Sequence, residues 1–183
     1  MLRYVHNIFP HLIHPLIQFA SYSQLDKKTN SSQQYDQQQQ ESSSSLSLIT
    51  SYLKLLSIII SNNYICQELI NKPKALHSLT TLSSYKLYIH FKQEYDQQSL
   101  SVRSSSRECL GRIQIFGDLS AYSELVNANY TGVFVIAIST AGSNSVEQDR
   151  EIWIGLSCIS NLLNDLHQGK NYGTSFPPQP LLA

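Results

Sequence analysis

The sequence predicts an all-α fold in which a short, a medium and a long helix recur as an α-α superhelix of about three irregular repeats. Three observations carry that expectation. Apolar residues return at steps of three and four, the spacing of one helix face. Asn, Pro and Gly cut the apolar runs at short intervals. The dipeptide Arg-Glu occurs at Arg107-Glu108 and again at Arg150-Glu151, about 43 residues apart, each time followed by an apolar helix.

The elements follow in order. Residues 4–9 lie where a short helix belongs and residues 10–20 where a medium one does. Residues 29–45, TNSSQQYDQQQQESSSS, are Gln/Ser low complexity. Such a segment buries too little apolar surface to offset chain entropy, so it reads as an unfolded loop inserted in the first repeat. Leu46, Ile49, Leu53, Leu56 and Ile60 then share one face of a long helix, which Asn62-Asn63 ends because Asn tolerates the left-handed cap conformation. Residues 64–71 form a short helix with Ile65, Leu69 and Ile70 inward. Pro73 fits the first turn of the next helix, where its missing N–H costs nothing. Leu76, Leu79 and Leu82 form the inner stripe of that helix.

Residues 83–106 read as an irregular connection in which YKLYIHF is either a short strand or a helix extension. Residues 103–116 form the second long helix, with Cys109, Leu110, Ile113 and Phe116 inward. Gly117 fits its C-terminal cap, and Asp118 or Ser120 caps the next start. Residues 120–128 are short, with Leu125 and Val126. TGVFVIAIST, within 131–141, has the composition of a strand, but its place in the repeat makes it a medium helix. Residues 142–145 turn, and 147–166 form the third long helix. One domain over 1–170 and a Pro-rich tail over 171–183 result.

YVHNIFP, YICQELINKP and YSELVNANY stand as three versions of the short helix, and with the long helices they resemble the armadillo family. The resemblance covers most of the ordered chain and rests on a pattern of apolar positions, which HEAT repeats and other α-solenoids share. It implies long third helices lining an extended binding surface. In the peptide-binding branch, that helix carries a Trp followed four residues later by an Asn. Here Trp153 is present but Ser157 holds the Asn position, and one repeat earlier the equivalents are Leu110 and Gln114, which argues against nuclear-signal binding. The irregular repeats and long loops are also similar to the Rcd family, the armadillo subunit of the cytoplasmic mRNA-deadenylase complex.

Composition narrows the function classes. The chain has 183 residues, 42% of them hydrophobic, and carries 13 basic against 13 acidic side chains. It therefore lacks the basic surplus that phosphate neutralisation requires, and no nucleic-acid partner is expected. The run at 46–60 is too short and too polar for a bilayer, and the N-terminus carries no signal-peptide cleavage pattern, so no membrane span is expected. Cys66, Cys109 and Cys158 are odd in number and far apart, which fits small buried residues in a reducing compartment. The expected location is the cytoplasm, with the nucleus as alternative. The NSS and NYT sequons at Asn30 and Asn129 carry no weight without a secretory route.

No constellation reads as catalytic. His6, His11 and His14 invite a metal reading, but Pro10 and Pro15 interrupt their helix and no carboxylate lies near, so no metal or cofactor is expected. No GxSxG, GxxxxGK[ST] or GxGxxG occurs. Glu147, Asp149 and Glu151 read as favourable charge at a helix start.

Two features fit recognition. One is the surface of the long helices, where Arg107, Gln114, Ser157 and Asn161 are expected to be exposed. Trp153 is there either a binding anchor or core. The other is the tail GTSFPPQPLLA, in which Phe176, Pro177 and Pro178 favour a polyproline II ligand. Its alternative folds Phe176 and Leu181 back over the last repeat. The expected function is a non-catalytic interaction or scaffold module for a protein or peptide partner. The alternatives are a small enzyme with a cysteine nucleophile, Cys109 or Cys158, and one piece of a larger solenoid complex.

Overall fold

The computed structural model describes residues 2–26, 35–61, 63–72, 74–87, 93–140 and 146–180. The described residues form eight helices and no strand: α1 Leu2–Asp26, α2 Tyr35–Ile59, α3 Asn63–Ile70, α4 Ala75–Leu82, α5 Gln93–Phe116, α6 Leu119–Asn127, α7 Tyr130–Thr140 and α8 Val146–Gln168. The protein is all-α. Two short helices precede a long one twice over, as α3–α4–α5 and α6–α7–α8. α5 packs along α2 and against α4, α1 packs on α2 and α4, and α8 packs on α7.

Helix formation follows the apolar phase. Phe9, Ile13, Leu16 and Ala20 recur at steps of four, three and four, and all are buried. That single phase runs across Pro10 and Pro15, so α1 is one helix and not the separate short and medium helices expected at 4–9 and 10–20. Each interior proline costs about 3 kcal/mol. Burial of the stripe offsets that penalty.

The two segments expected to be irregular are also partly helical. α2 begins at Tyr35, inside the Gln/Ser stretch, and α5 begins at Gln93, ten residues before the expected start at Arg103. Neither added stretch contains Gly or Pro, and Gln and Glu are good helix formers, so nothing in them stops a helix that burial downstream has nucleated. Residues 29–34, 88–92 and 141–145, with Asn62 and Pro73, lie outside the described residues.

The core joins Leu46, Leu53, Leu56 and Ile60 of α2 to Leu79 and Leu82 of α4, Val102, Cys109, Leu110 and Ile113 of α5, and Tyr122, Leu125, Tyr130 and Phe134 of α6 and α7. TGVFVIAIST is helix, with Val133, Phe134 and Ala137 buried. The α5–α6 corner is tight. A Cβ on Gly117 would lie 2.4 Å from the Cβ of Ala121 and 2.5 Å from the carbonyl of Ile113, so only glycine fits. Asp118 caps α6 by accepting the Ala121 N–H at 3.2 Å, and it also accepts from Gln67 of α3 at 2.6 Å.

Candidate interaction surface on the last long helix

Side chains of α5 join the elements around α8. Ser106 donates to the Leu79 carbonyl at 3.1 Å, Arg107 to that of Ser83 at 3.2 Å, and Arg103 to that of Tyr85 at 3.0 Å, so three side chains satisfy carbonyls at and beyond the end of α4. The other arm of Arg107 donates to Glu151 of α8 at 2.5 Å, and Ser104 donates to the second Glu151 oxygen at 2.6 Å. Gln114 accepts the Tyr130 hydroxyl and donates to the Cys158 carbonyl at 3.2 Å. Arg107 and Gln114 are therefore buried, at 6% and 3% exposure, and not on the open surface expected of them. Their polar ends serve as ties between α5, α7 and α8. Glu151 is one of those ties, beyond any effect of its charge on the helix end.

The tail acts as a strap. Lys170 and Phe176 bridge through paired backbone hydrogen bonds of 2.9 and 3.0 Å. The Lys170 ammonium is buried. It donates to the carbonyls of Gln114, Ile115 and Gly117 at 3.0, 2.9 and 2.8 Å, while Thr174 donates to that of Phe116 at 3.1 Å. Four carbonyls at the C-terminal end of α5 are thus satisfied by the strap, a favourable place for a cation. Phe176 packs edge-on against Tyr122 with ring centroids 4.8 Å apart. Asp165 of α8 accepts from Tyr122 at 2.5 Å and from Tyr172 at 2.6 Å. Phe176 therefore covers the core as the fold-back alternative expected, and Pro177 and Pro178 lie exposed beside it. Leu181 lies outside the described residues.

α8 has two faces. Cys158, Leu162, Asp165 and Leu166 turn inward, and Gly155 lets α7 approach so closely that a Cβ there would lie 2.9 Å from Ile138. The opposite side carries Trp153, 70% exposed, with Leu156 and Leu163, and Asn161 is exposed while Ser157 is half-buried. Val135 of α7 is also exposed. An exposed Trp among exposed aliphatics is the composition of an interface core. Of the residues expected to bind, Trp153, Ser157 and Asn161 thus share the outer side of one helix, while Leu156 and Leu163 belong beside them. Their recurrence with Trp153 at helical spacing was readable. Which of the two apolar faces of α8 turns inward was not.

Two of the three cysteines are fully buried, and Cys158 is half-buried. Cys109 is fully buried and donates to the Leu53 carbonyl at 3.2 Å, and burial raises its pKa. Burial pushes Cys66 up to about 12 and raises Cys158 as well. His11, His14, His77 and His167 are exposed, and among the described residues no three His, Cys, Asp or Glu side chains gather as a metal ion requires. No helix of the described residues is long and apolar enough to cross a membrane. Comparison with protein-family models, curated proteins and solved structures returns no match.

Proposed function

We propose that the chain is a non-catalytic interaction module of the armadillo-like kind, docking a protein partner on the outer face of α8. The observation that carries this reading is the exposure of Trp153, the chain's single tryptophan, beside Leu156 and Leu163. Large apolar side chains rarely stand together on a surface unless something covers them. The repeated order of two short helices and a long one supports the solenoid assignment, in which long helices present an extended surface. Ser157 and Asn161 supply hydrogen bonds at the edge of the patch. Exposed Pro177 and Pro178 belong to the strap.

Affinity capture from cells that make the protein tests the reading. Wild-type chain retains a partner that the Trp153→Glu/Leu156→Glu variant loses, with far-ultraviolet circular dichroism unchanged between the two. Equal retention by both chains overturns the assignment to α8.

A further inference from the structure

The outer side of α8 carries a regular seam. Asp149, Trp153, Leu156, Ser160, Leu163 and His167 follow one another at steps of four, three, four, three and four, and all six are exposed. That is the alternation of coiled-coil core positions, sustained over nearly the whole helix. The inner side of α8 already packs on α5 and α7. α8 therefore has two apolar faces, one packed on α5 and α7 and one that, among the described residues, nothing covers.

The order of residues along the seam identifies the second neighbour. The spacing reads the same in both directions about position 158. When two such helices run antiparallel across a two-fold axis at that position, Trp153 meets Leu163 of the other copy and Leu156 meets Ser160. Asp149 meets His167 at each end. A large ring faces an aliphatic side chain, a branched chain faces a small one, and a carboxylate faces an imidazole N–H donor, each twice by symmetry. A parallel pair would set Asp149 against Asp149 and Trp153 against Trp153. The exposed stripe of α2, with Leu48, Leu55 and Ile58, shows no such pairing of an acid with a base among the described residues.

We propose that the partner covering α8 is a second copy of this chain, bound through an antiparallel α8–α8 pair. The proposal rests on the docking reading above and names its occupant. One helix pair buries on the order of 1,000 Å² in total, the lower end of specific interfaces, so the dimer forms at about micromolar concentration.

Sedimentation equilibrium on the purified full chain, from about 1 to 300 µM around that dissociation constant, tests it. The expected mass rises toward twice 20.7 kDa, and the Trp153 emission shifts to shorter wavelength as the ring leaves water. Trp153→Glu and Leu163→Glu each abolish the rise. Leu55→Glu on α2 leaves it unchanged. The register has its own test. Asp149→Lys and His167→Glu each weaken the dimer about three- to tenfold, in keeping with loss of two exposed pairs, and the double variant restores it. A mass that stays at one chain throughout overturns the self-pairing. If capture by wild type and its loss in the α8 variant still hold, the docking reading survives with a different occupant. A dimer that ignores Trp153→Glu, or a charge-swapped variant that fails to recover, overturns the antiparallel α8 interface.

Discussion

Arg107 and Arg112 show how little a residue type says about its role. Arg112 meets Glu108 at 3.5 Å with both side chains well exposed, whereas Arg107 meets Glu151 at 2.5 Å with little of either in water. Coulomb attraction is screened in the first case and strong in the second, but the second also carries the cost of desolvation. Removing one partner therefore leaves a buried charge alone. Glu151→Ala is expected to lower unfolding stability by about 3 kcal/mol, and Arg112→Ala by under about 0.5 kcal/mol. Urea titrations followed by circular dichroism measure both, and equal losses would refute the distinction. The cysteines give a second prediction at this scale. Because burial raises the pKa of all three thiols, a chromogenic disulfide reagent near neutral pH is expected to react slowly with the native chain and to modify all three once the chain is denatured. One thiol that reacts fast in the native state would restore the cysteine-nucleophile alternative.

At the scale of elements, the strap and α5 depend on each other. A helix leaves its last carbonyls without intrahelical donors, and Lys170 and Thr174 provide them for α5. The tyrosines that bond Asp165 add a pH dependence. Burial first, then the Asp165 hydrogen bond, raises Tyr172 from 10.0 to about 12, and Tyr122 is raised in the same sense. A folded value above the unfolded one means that this contribution is complete below about pH 10 and is lost as pH rises toward 12. Lys170, whose pKa burial lowers, titrates with the opposite sign. The comparison is therefore made with Tyr172→Phe, which removes one tyrosine and leaves Lys170. Melting temperatures taken from pH 9 to 12 are expected to fall more steeply for wild type than for Tyr172→Phe; parallel curves would remove the tyrosine from the account.

For the whole molecule, α5 is the element that joins most of the others. It packs on α2 and α4 and is tied to α7, α8 and the strap by side-chain hydrogen bonds. Ile113 lies fully buried in its last turn. Ile113→Ala is expected to cost about 2–5 kcal/mol, the range for large-to-small core changes. It should lower one cooperative transition rather than split it, since one continuous core spans the helices. Two resolved steps in a calorimetric scan would show that the halves of the chain unfold separately.

Periodicity alone specified the helical class and the inward faces of most helices. Apolar residues at steps of three and four can be buried together only on a helix, and Leu53, Leu110, Ile113 and Leu125 are buried as that rule requires. Asp118 as a cap was equally local, because capping needs only the residue before a helix and the N–H groups just after it. The fate of polar residues was decided by tertiary structure. Arg107 and Gln114 lie at the edge of the α5 apolar face, and a side chain at an edge is exposed or buried according to what packs beside it. Here Glu151, Tyr130 and the Cys158 carbonyl supply partners that are remote in sequence or on other elements. The fold-back of Phe176 was one of two readings of the tail, but the same reason hid the anchor that holds it. Lys170 finds its acceptors more than fifty residues away, and no local pattern encodes a partner at that distance. α8 sets the limit most plainly: its sequence carries two apolar stripes, and only the packing of α5 and α7 determined which became core and which remained a surface.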